Sequence, residues 1–256
     1  SKQFEESTPV QSEEKQNEIA AASSQVKAPI SSEETGEDES VLQVREESNV
    51  ENKAQKTPEV RPTSAPPTTI ELAIAALENQ QYQMALDLLE AEKNRPEGQD
   101  DMYVVLYVSA LIGKAELLMP TYPQKAKALL RQVVETDSSN SRAYFLLGKL
   151  HTQDKEYALA IDAYQKATRL NPTFPDSFFN LGFLYATTGM YEKAEQYFES
   201  TIELEPDYLS KALFNLALIQ ERLGKNGKSL NNLRRASELD PKNQKVKNYL
   251  QRAEAR

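Results

Sequence analysis

The chain contains no cysteine and only one histidine, His151, among its 256 residues. Disulfide bonds and cysteine-ligated zinc sites are therefore excluded. A serine nucleophile would need His151 as its base, and this residue stands inside the packing pattern described below. Only eight glycines are present, and they form no loop of the kind that cradles phosphate. These absences predict no catalytic residues, no metal site and no cofactor.

Long apolar runs and an excess of positive charge are also missing. No apolar run reaches the length of a transmembrane helix and no signal peptide is visible, so we expect no membrane insertion within this chain. A net charge of −9 and a pI near 5.0 argue against nucleic acid as the main partner. The compartment stays open: cytoplasmic, or periplasmic and membrane-tethered if an anchor precedes Ser1.

Residues 1–67 form an acidic segment rich in Ser, Glu and Pro. They hold seven Lys or Arg and fourteen Asp or Glu, a net charge of −7. Their apolar residues are scattered without a period, which predicts a disordered tail or linker. Two interpretations stay open: a solvated spacer, or a binding segment such as residues 40–45, where three apolar residues interrupt the acidic run.

The rest of the chain is organised around one pattern that recurs every 34 positions. The first copy comprises Tyr144, Leu147, Gly148, His151, Ala160, Tyr164, Ala167 and Pro172. The second comprises Phe178, Leu181, Gly182, Tyr185, Ala194, Phe198, Thr201 and Pro206. A third, offset by one extra residue, comprises Leu213, Leu216, Ala217, Gln220, Ser229, Leu233, Ala236 and Pro241. Each copy predicts a helical hairpin.

The spacing has a physical reason. A small residue on one helix opposite a large one on the other lets the two axes approach closely. A proline past the second helix ends that helix and turns the chain into the next copy. One hairpin cannot bury its apolar face alone, so the copies must stack.

The pattern resembles the tetratricopeptide repeat, whose period is also 34. The resemblance implies an all-α solenoid of about five hairpins in a right-handed superhelix. We expect degenerate repeats at about 68–98 and 100–138, regular repeats at about 141–174, 175–208 and 210–243, and a capping helix at 243–256. Residues 68–256 would form one domain behind the tail.

In tetratricopeptide arrays, certain positions of the inner helices face a concave groove that binds peptides. The corresponding residues here are Phe145, Lys149, Phe179, Asn180, Phe183, Lys211, Phe214, Asn215 and Leu218. Two interpretations of the phenylalanines stay open, because aromatic stripes at helical spacing also form core. Asparagine is a mediocre helix former, so the repeated pair Asn180 and Asn215 suggests a side-chain task such as holding a guest backbone.

The resemblance implies a non-catalytic scaffold or adaptor that binds a protein segment, acidic or extended, and an assembly factor tethered through the tail is one form of it. An alternative is a co-chaperone that clamps a terminal carboxylate. Asn180 and Lys211 match that clamp, whereas Phe145, Lys149 and Asn215 depart from it. A self-assembling structural module is a further alternative.

Overall fold

The computed structural model describes residues 67–92 and 101–255. The disordered tail predicted for residues 1–67 lies outside these ranges, apart from Pro67. Within them the chain forms helices and turns, and no β-strand. The helices are α1 (Thr69–Glu78), α2 (Tyr82–Glu92), α3 (Asp101–Leu118), α4 (Pro123–Thr136), α5 (Ser141–Gln153), α6 (Tyr157–Leu170), α7 (Pro175–Thr187), α8 (Tyr191–Glu203), α9 (Leu209–Arg222), α10 (Asn226–Leu239) and α11 (Gln244–Glu254).

Each odd-numbered helix pairs with the helix that follows it, and α11 closes the array alone. Three residues join the helices of every hairpin except α3–α4, where four residues do so. Connections this short bring the second helix back along the first. Apart from α1 with α3, the substantial contacts join helices that are neighbours in sequence. The predicted all-α solenoid of helical hairpins is confirmed.

Local signals in the sequence set the helix ends. The Glu71 amide donates to the Thr68 hydroxyl at 3.2 Å, and the Thr68 amide donates to the Glu71 carboxylate at 2.7 Å. This reciprocal pair is a capping box that begins α1. At the other ends, Pro172, Pro206 and Pro241 follow α6, α8 and α10 by two or three residues, because proline cannot continue a helix.

The two helices of a hairpin meet where a small residue faces a large ring. A methyl group on Gly148 would lie 2.7 Å from the ring of Tyr164, and one on Gly182 would lie 3.0 Å from the ring of Phe198. The α9–α10 hairpin has alanine and leucine at the equivalent positions, and both are buried. Glycine faces an aromatic ring in two hairpins, and the larger alanine faces the smaller leucine in the third. The two helices can therefore approach closely in all three.

The buried core forms two clusters that meet at α5 and α6. One cluster includes Ala73 and Ala163, and the other includes Ala160 and Val246. Phe145 packs against both clusters. Each hairpin therefore completes its core only by packing on its neighbours, as repeat arrays require.

The junction between the second and third hairpins is ionic. Lys127 of α4 is 3% exposed, and its Nζ donates to Asp154 Oδ2 at 2.6 Å and to Glu156 Oε2 at 2.8 Å. The Nδ1 atom of buried His151 lies 2.5 Å from the same Glu156 oxygen. Because its partners come from the α5–α6 hairpin, this lysine ties the two hairpins together.

Two repeats later the junction has the opposite polarity. Glu195 of α8 is 6% exposed and accepts hydrogen bonds from Lys225 and from Gln220 of the next hairpin. Glu195 lies 68 residues after Lys127, and the position midway between them holds Ile161, which is half-buried and packs against the core. A hairpin stacked on the wrong neighbour would bury an unpaired charge, so these differences favour the native order.

We predict that Gly148→Ala destabilises the protein. Alanine is the better helix former by about 0.8–1.0 kcal/mol, but its methyl group would overlap the Tyr164 ring at 2.7 Å. Overpacking of this kind costs about 1–3 kcal/mol, so the free energy of unfolding should fall. Urea unfolding followed by circular dichroism measures the difference.

Gly227→Ala is the matched control, because a methyl group on Gly227 of α10 would meet no atom within 4 Å. That variant should be as stable as the parent or slightly more stable. Adding Tyr164→Leu to Gly148→Ala recreates the Ala217–Leu233 pair of the third copy, and it should recover part of the loss. A Gly148→Ala protein as stable as the parent would contradict the close approach.

We also predict that the Lys127 junction weakens in acid. Hydrogen bonds from Lys127 hold the pKa of Asp154 and of Glu156 below their usual 3.8 and 4.5. The stabilisation they supply is complete above those values and is lost as the pH falls through the lower folded-state values. Lys127→Met should therefore lose less stability than the parent between about pH 5 and pH 2.

Urea titrations across that pH range compare the parent with Lys127→Met and with Lys166→Met. The Lys166 Nζ pairs with Asp162 on one helix, 3.0 Å away, and both side chains are substantially exposed. Its removal should leave the acid profile nearly parallel to that of the parent. Parallel profiles for Lys127→Met as well would show that the buried junction contributes no pH dependence.

Candidate functional site

The nine candidate residues fall on three successive first helices of the hairpins. We call these first helices, together with α11, the inner helices, and the second helices of the hairpins the outer helices. Lys149 is exposed. The half-buried candidates are Phe145, Asn180, Phe183 and Lys211. The buried candidates are Phe179, Phe214, Asn215 and Leu218.

The three phenylalanines at equivalent positions pack against aromatic rings that come later in the chain. Ring centroids lie 4.9 Å apart for Phe145 and Phe174, and the two rings meet edge to face. The same geometry joins Phe179 to Tyr208 at 5.3 Å and Phe214 to Tyr249 at 5.2 Å. The structure therefore places these rings between successive inner helices, and Phe179, Phe214 and Leu218 lie in the core rather than on open surface.

Cationic groups lie over the same rings. The Lys149 Nζ is 5.9 Å from the centroid of Phe145, Lys211 is 5.1 Å from Phe179 and Lys245 is 5.8 Å from Phe214. The series ends on α11, where the Arg252 guanidinium lies 4.1 Å from the centroid of Tyr249. We call this series the cation ladder. Cations are attracted to the faces of aromatic rings, and each cation of the ladder lies within the range of that attraction.

Sequence reasoning missed the α11 part of the ladder. The sequence predicts that Lys245, Tyr249 and Arg252 lie on a capping helix outside the repeats. The signal was present, because Lys245 follows Lys211 by one period of 34. In position, α11 is one more inner helix, packed on α10.

The two asparagines at equivalent positions have different environments. The Nδ2 atom of Asn180 donates to the Asp176 carbonyl oxygen, one turn earlier, at 2.7 Å. Asn215 is 1% exposed, and neither of its amide atoms has a hydrogen-bond partner in the structure. The expectation that both side chains point into one open channel is therefore wrong for Asn215. Residues 212–220 of α9 are all buried, which closes that part of the channel.

Asp176 interrupts the positive charge of the inner helices. Its carboxylate accepts a hydrogen bond from the Tyr208 hydroxyl, and burial together with this bond raises the pKa of Tyr208. Burial lowers the pKa of Lys211, and the nearby Asp176 charge opposes that effect. The Lys211 ammonium is thus partly desolvated. A carboxylate that arrived there would meet a partly desolvated cation and also the negative charge of Asp176.

Among residues 67–92 and 101–255, no three His, Cys, Asp or Glu side chains are grouped so that they could hold a metal ion. In the same ranges, no helix combines the length and the apolar character that crossing a bilayer requires. His151 is buried beside Glu156 and Lys127. The structure accounts for it as part of the junction between hairpins.

We predict that Asn215→Leu stabilises the protein. A buried amide without partners costs about 1–3 kcal/mol in lost hydration, and leucine of similar size removes that cost. Asn180→Leu is the control, since its side chain is half-buried and already hydrogen-bonded; it should stay within about 0.5 kcal/mol of the parent. Chemical denaturation of both variants tests this, and a less stable Asn215→Leu would mean that the amide has a partner in solution.

Comparison with known proteins agrees with this architecture. Residues 148–189 match the family described as "TPR repeat", and residues 176–242 match the family described as "Tetratricopeptide repeat". Anaphase-promoting complex subunit 3 of Schizosaccharomyces pombe is 28% identical over 118 residues, which are 46% of this chain and 18% of that protein. Photosystem I assembly protein Ycf3 of Acaryochloris marina is 31% identical over 117 residues, which are 44% of this chain and 66% of that protein.

The chain thus spans only part of the length of these relatives. The fold is also similar to that of YrrB, a solved structure described as a TPR protein with an unusual peptide-binding site. The TM-score is 0.54 and the identity 19%, over 71% of this chain and 89% of that one. At this identity the likeness concerns the fold alone. The period of 34, the stacked hairpins and these matches agree, and the chain belongs to the tetratricopeptide repeat family.

Proposed function

We propose that this protein is a non-catalytic binding module whose inner helices hold an extended, acidic segment of another protein. The observation that carries the proposal is the cation ladder, which runs from α5 to α11 over four aromatic rings. Tetratricopeptide repeat proteins generally mediate protein–protein interaction, and the fold is generally non-catalytic. The cation ladder indicates which guest is favoured, namely one that carries carboxylates.

The ladder suits carboxylates for two reasons. Its cations already lie over rings of the core, so ordering them for a guest should cost less than ordering side chains without such a contact. At Lys211 the positive charge is partly desolvated, which strengthens an ion pair. Between the cations, the half-buried Phe145 and Phe183 offer apolar surface, and the Asn180 amide oxygen can accept a hydrogen bond from a guest backbone.

A role in assembly is consistent with this chemistry. One relative is named as an assembly protein for photosystem I, and a groove that holds an extended segment can keep a subunit in place while others join it. The tail would tether the module. The proposal for this chain is that general role, with no particular complex as its target.

The test is a selection of phage-displayed peptides on the full chain, followed by affinity measurements on variants. We expect the selected peptides to be enriched in Asp and Glu. The triple variant Lys149→Glu, Lys211→Glu, Lys245→Glu should bind them at least about tenfold more weakly, a loss of about 1.4 kcal/mol. Isothermal titration calorimetry measures the affinity, and circular dichroism checks that the variant is folded.

The matched control is a triple charge reversal on outer helices α4, α6 and α8. Lys125, Lys166 and Lys193 also lie over aromatic rings, at 4.8, 5.4 and 5.2 Å from the centroids. Changing these three to Glu alters the net charge equally, yet it should leave the affinity within about twofold. Equal losses in both triples would show that binding responds to net charge and not to the inner face.

The alternatives have distinct outcomes in the same experiment. A co-chaperone that reads a terminal carboxylate would lose its peptides when their carboxyl termini are amidated. Asn180 and Lys211 match that clamp in the sequence, and the amidated peptides test the match. A self-assembling module would instead show a molar mass that rises with concentration in light scattering.

A further inference from the structure

Charge is strongly segregated along this chain. Residues 210–256 hold eleven Lys or Arg and four Asp or Glu, a net charge of +7, whereas residues 68–209 carry −9 and residues 1–67 carry −7. We propose that the acidic segment 33–47 of the tail docks on the basic surface of α11 in the same chain and covers the end of the cation ladder. The inference rests on the proposed function, because the docked tail would compete with the guest for the cation ladder.

The docking surface is a shallow groove of about 630 Å³ along α11. The side chains that line it are Lys245, Asn248, Tyr249, Gln251, Arg252 and Ala255. Lys245 and Arg252 lie over the rings of Phe214 and Tyr249. The one acidic residue of α11, Glu254, is engaged by Arg234 at 3.0 Å. The groove therefore combines basic groups with aromatic and amide surface.

The segment proposed as its occupant has the complementary pattern. Residues 33–39 contain five carboxylates, Val41, Leu42 and Val44 follow, and residues 46 and 47 are again glutamates. Carboxylates can pair with the cations while the three apolar side chains lie beside the rings. The opposite end of the array repels such a segment, since residues 67–92 hold five Asp or Glu and no Lys or Arg.

The tail is long enough to reach α11 from its attachment at α1. Five steps between neighbouring inner helices span about 40–50 Å at about 8–10 Å for each step. The 28 residues from 40 to 68 have a root-mean-square span of about 30 Å if flexible, and a maximum span of about 90 Å. Docking in the same chain therefore needs only moderate extension. Tethering supplies an effective concentration that a free peptide would have to match.

Docking of the tail would set a threshold for partners. A guest would have to displace residues 33–47 before it reached Lys245 and Arg252, so its apparent affinity would fall by the fraction of time for which the groove is covered. Neutralising the tail should then strengthen guest binding without any change to the groove.

The test exploits the absence of native cysteine. Ser40→Cys and Gln244→Cys place one spin label in the tail and one at the exposed start of α11, beside the groove. Electron–electron double resonance should show a narrow short-distance component at about 50 mM salt that is lost near about 1 M, where the Debye length is about 3 Å. The reference pair, Ser40→Cys with Gln81→Cys at the first hairpin, should give a broad distribution at both salt concentrations.

Two charge variants identify the contact. Changing the five carboxylates of residues 33–39 to amides should abolish the short component. Lys245→Glu with Arg252→Glu should do the same, and Lys166→Glu with Lys193→Glu, of equal net charge change, should retain it. A broad distribution in the parent at low salt, or a short component that survives both changes, overturns the proposal.

Dilution with unlabelled protein distinguishes docking of the tail within one chain from docking on a second copy. The short component should persist on dilution if the tail docks in its own chain, and its loss would place the tail on a second copy and overturn the proposal as stated. Failure here is distinguishable from failure of the proposed function. If selected peptides bind the inner face while the labels show no docking, only the tail inference falls. If the tail docks but acidic peptides do not bind the tail-neutralised chain, the proposed function falls.

Discussion

The stacking of the regular repeats depends on the close contact between a small residue and a large one inside each of their hairpins. Gly148 against Tyr164 and Gly182 against Phe198 let paired helices approach so closely that one added methyl group would overlap the ring. This contact sets the spacing of the two helices. That spacing determines which side chains reach the next hairpin, and so it controls how the repeats stack.

The junctions between successive hairpins place different kinds of side chain at the same position of the repeat. The array alternates a buried lysine at Lys127, an apolar side chain at Ile161 and a buried glutamate at Glu195, one period apart. A buried charge is a poor source of net stability, because its lost hydration offsets most of the gain from its partner. Lys127 and Glu195 each pair with groups of the next hairpin, so stacking on a different neighbour would leave a buried charge without its partner.

The proposed binding face depends on the same stacking. Burying Phe145, Phe179 and Phe214 between successive inner helices fixes the rings over which the lysines lie. In the proposed function, cations that already lie over these rings need less ordering when a guest binds. The rings themselves belong to the core, and the cations lie over them.

The sequence by itself determined the period, the helical hairpins, the small-against-large pairs and the ends set by Thr68 and the prolines. These rest on local geometry and on contacts inside one hairpin, so the spacing of residues is enough to predict them. Accessibility was decided only by the tertiary structure. Asn180 and Asn215 share a position in the repeat, yet only the second is fully buried, because burial depends on what the surrounding helices cover. The packing of α11 likewise decided that Lys245 and Arg252 lie over Phe214 and Tyr249, although the interval of 34 from Lys211 to Lys245 is visible in the sequence.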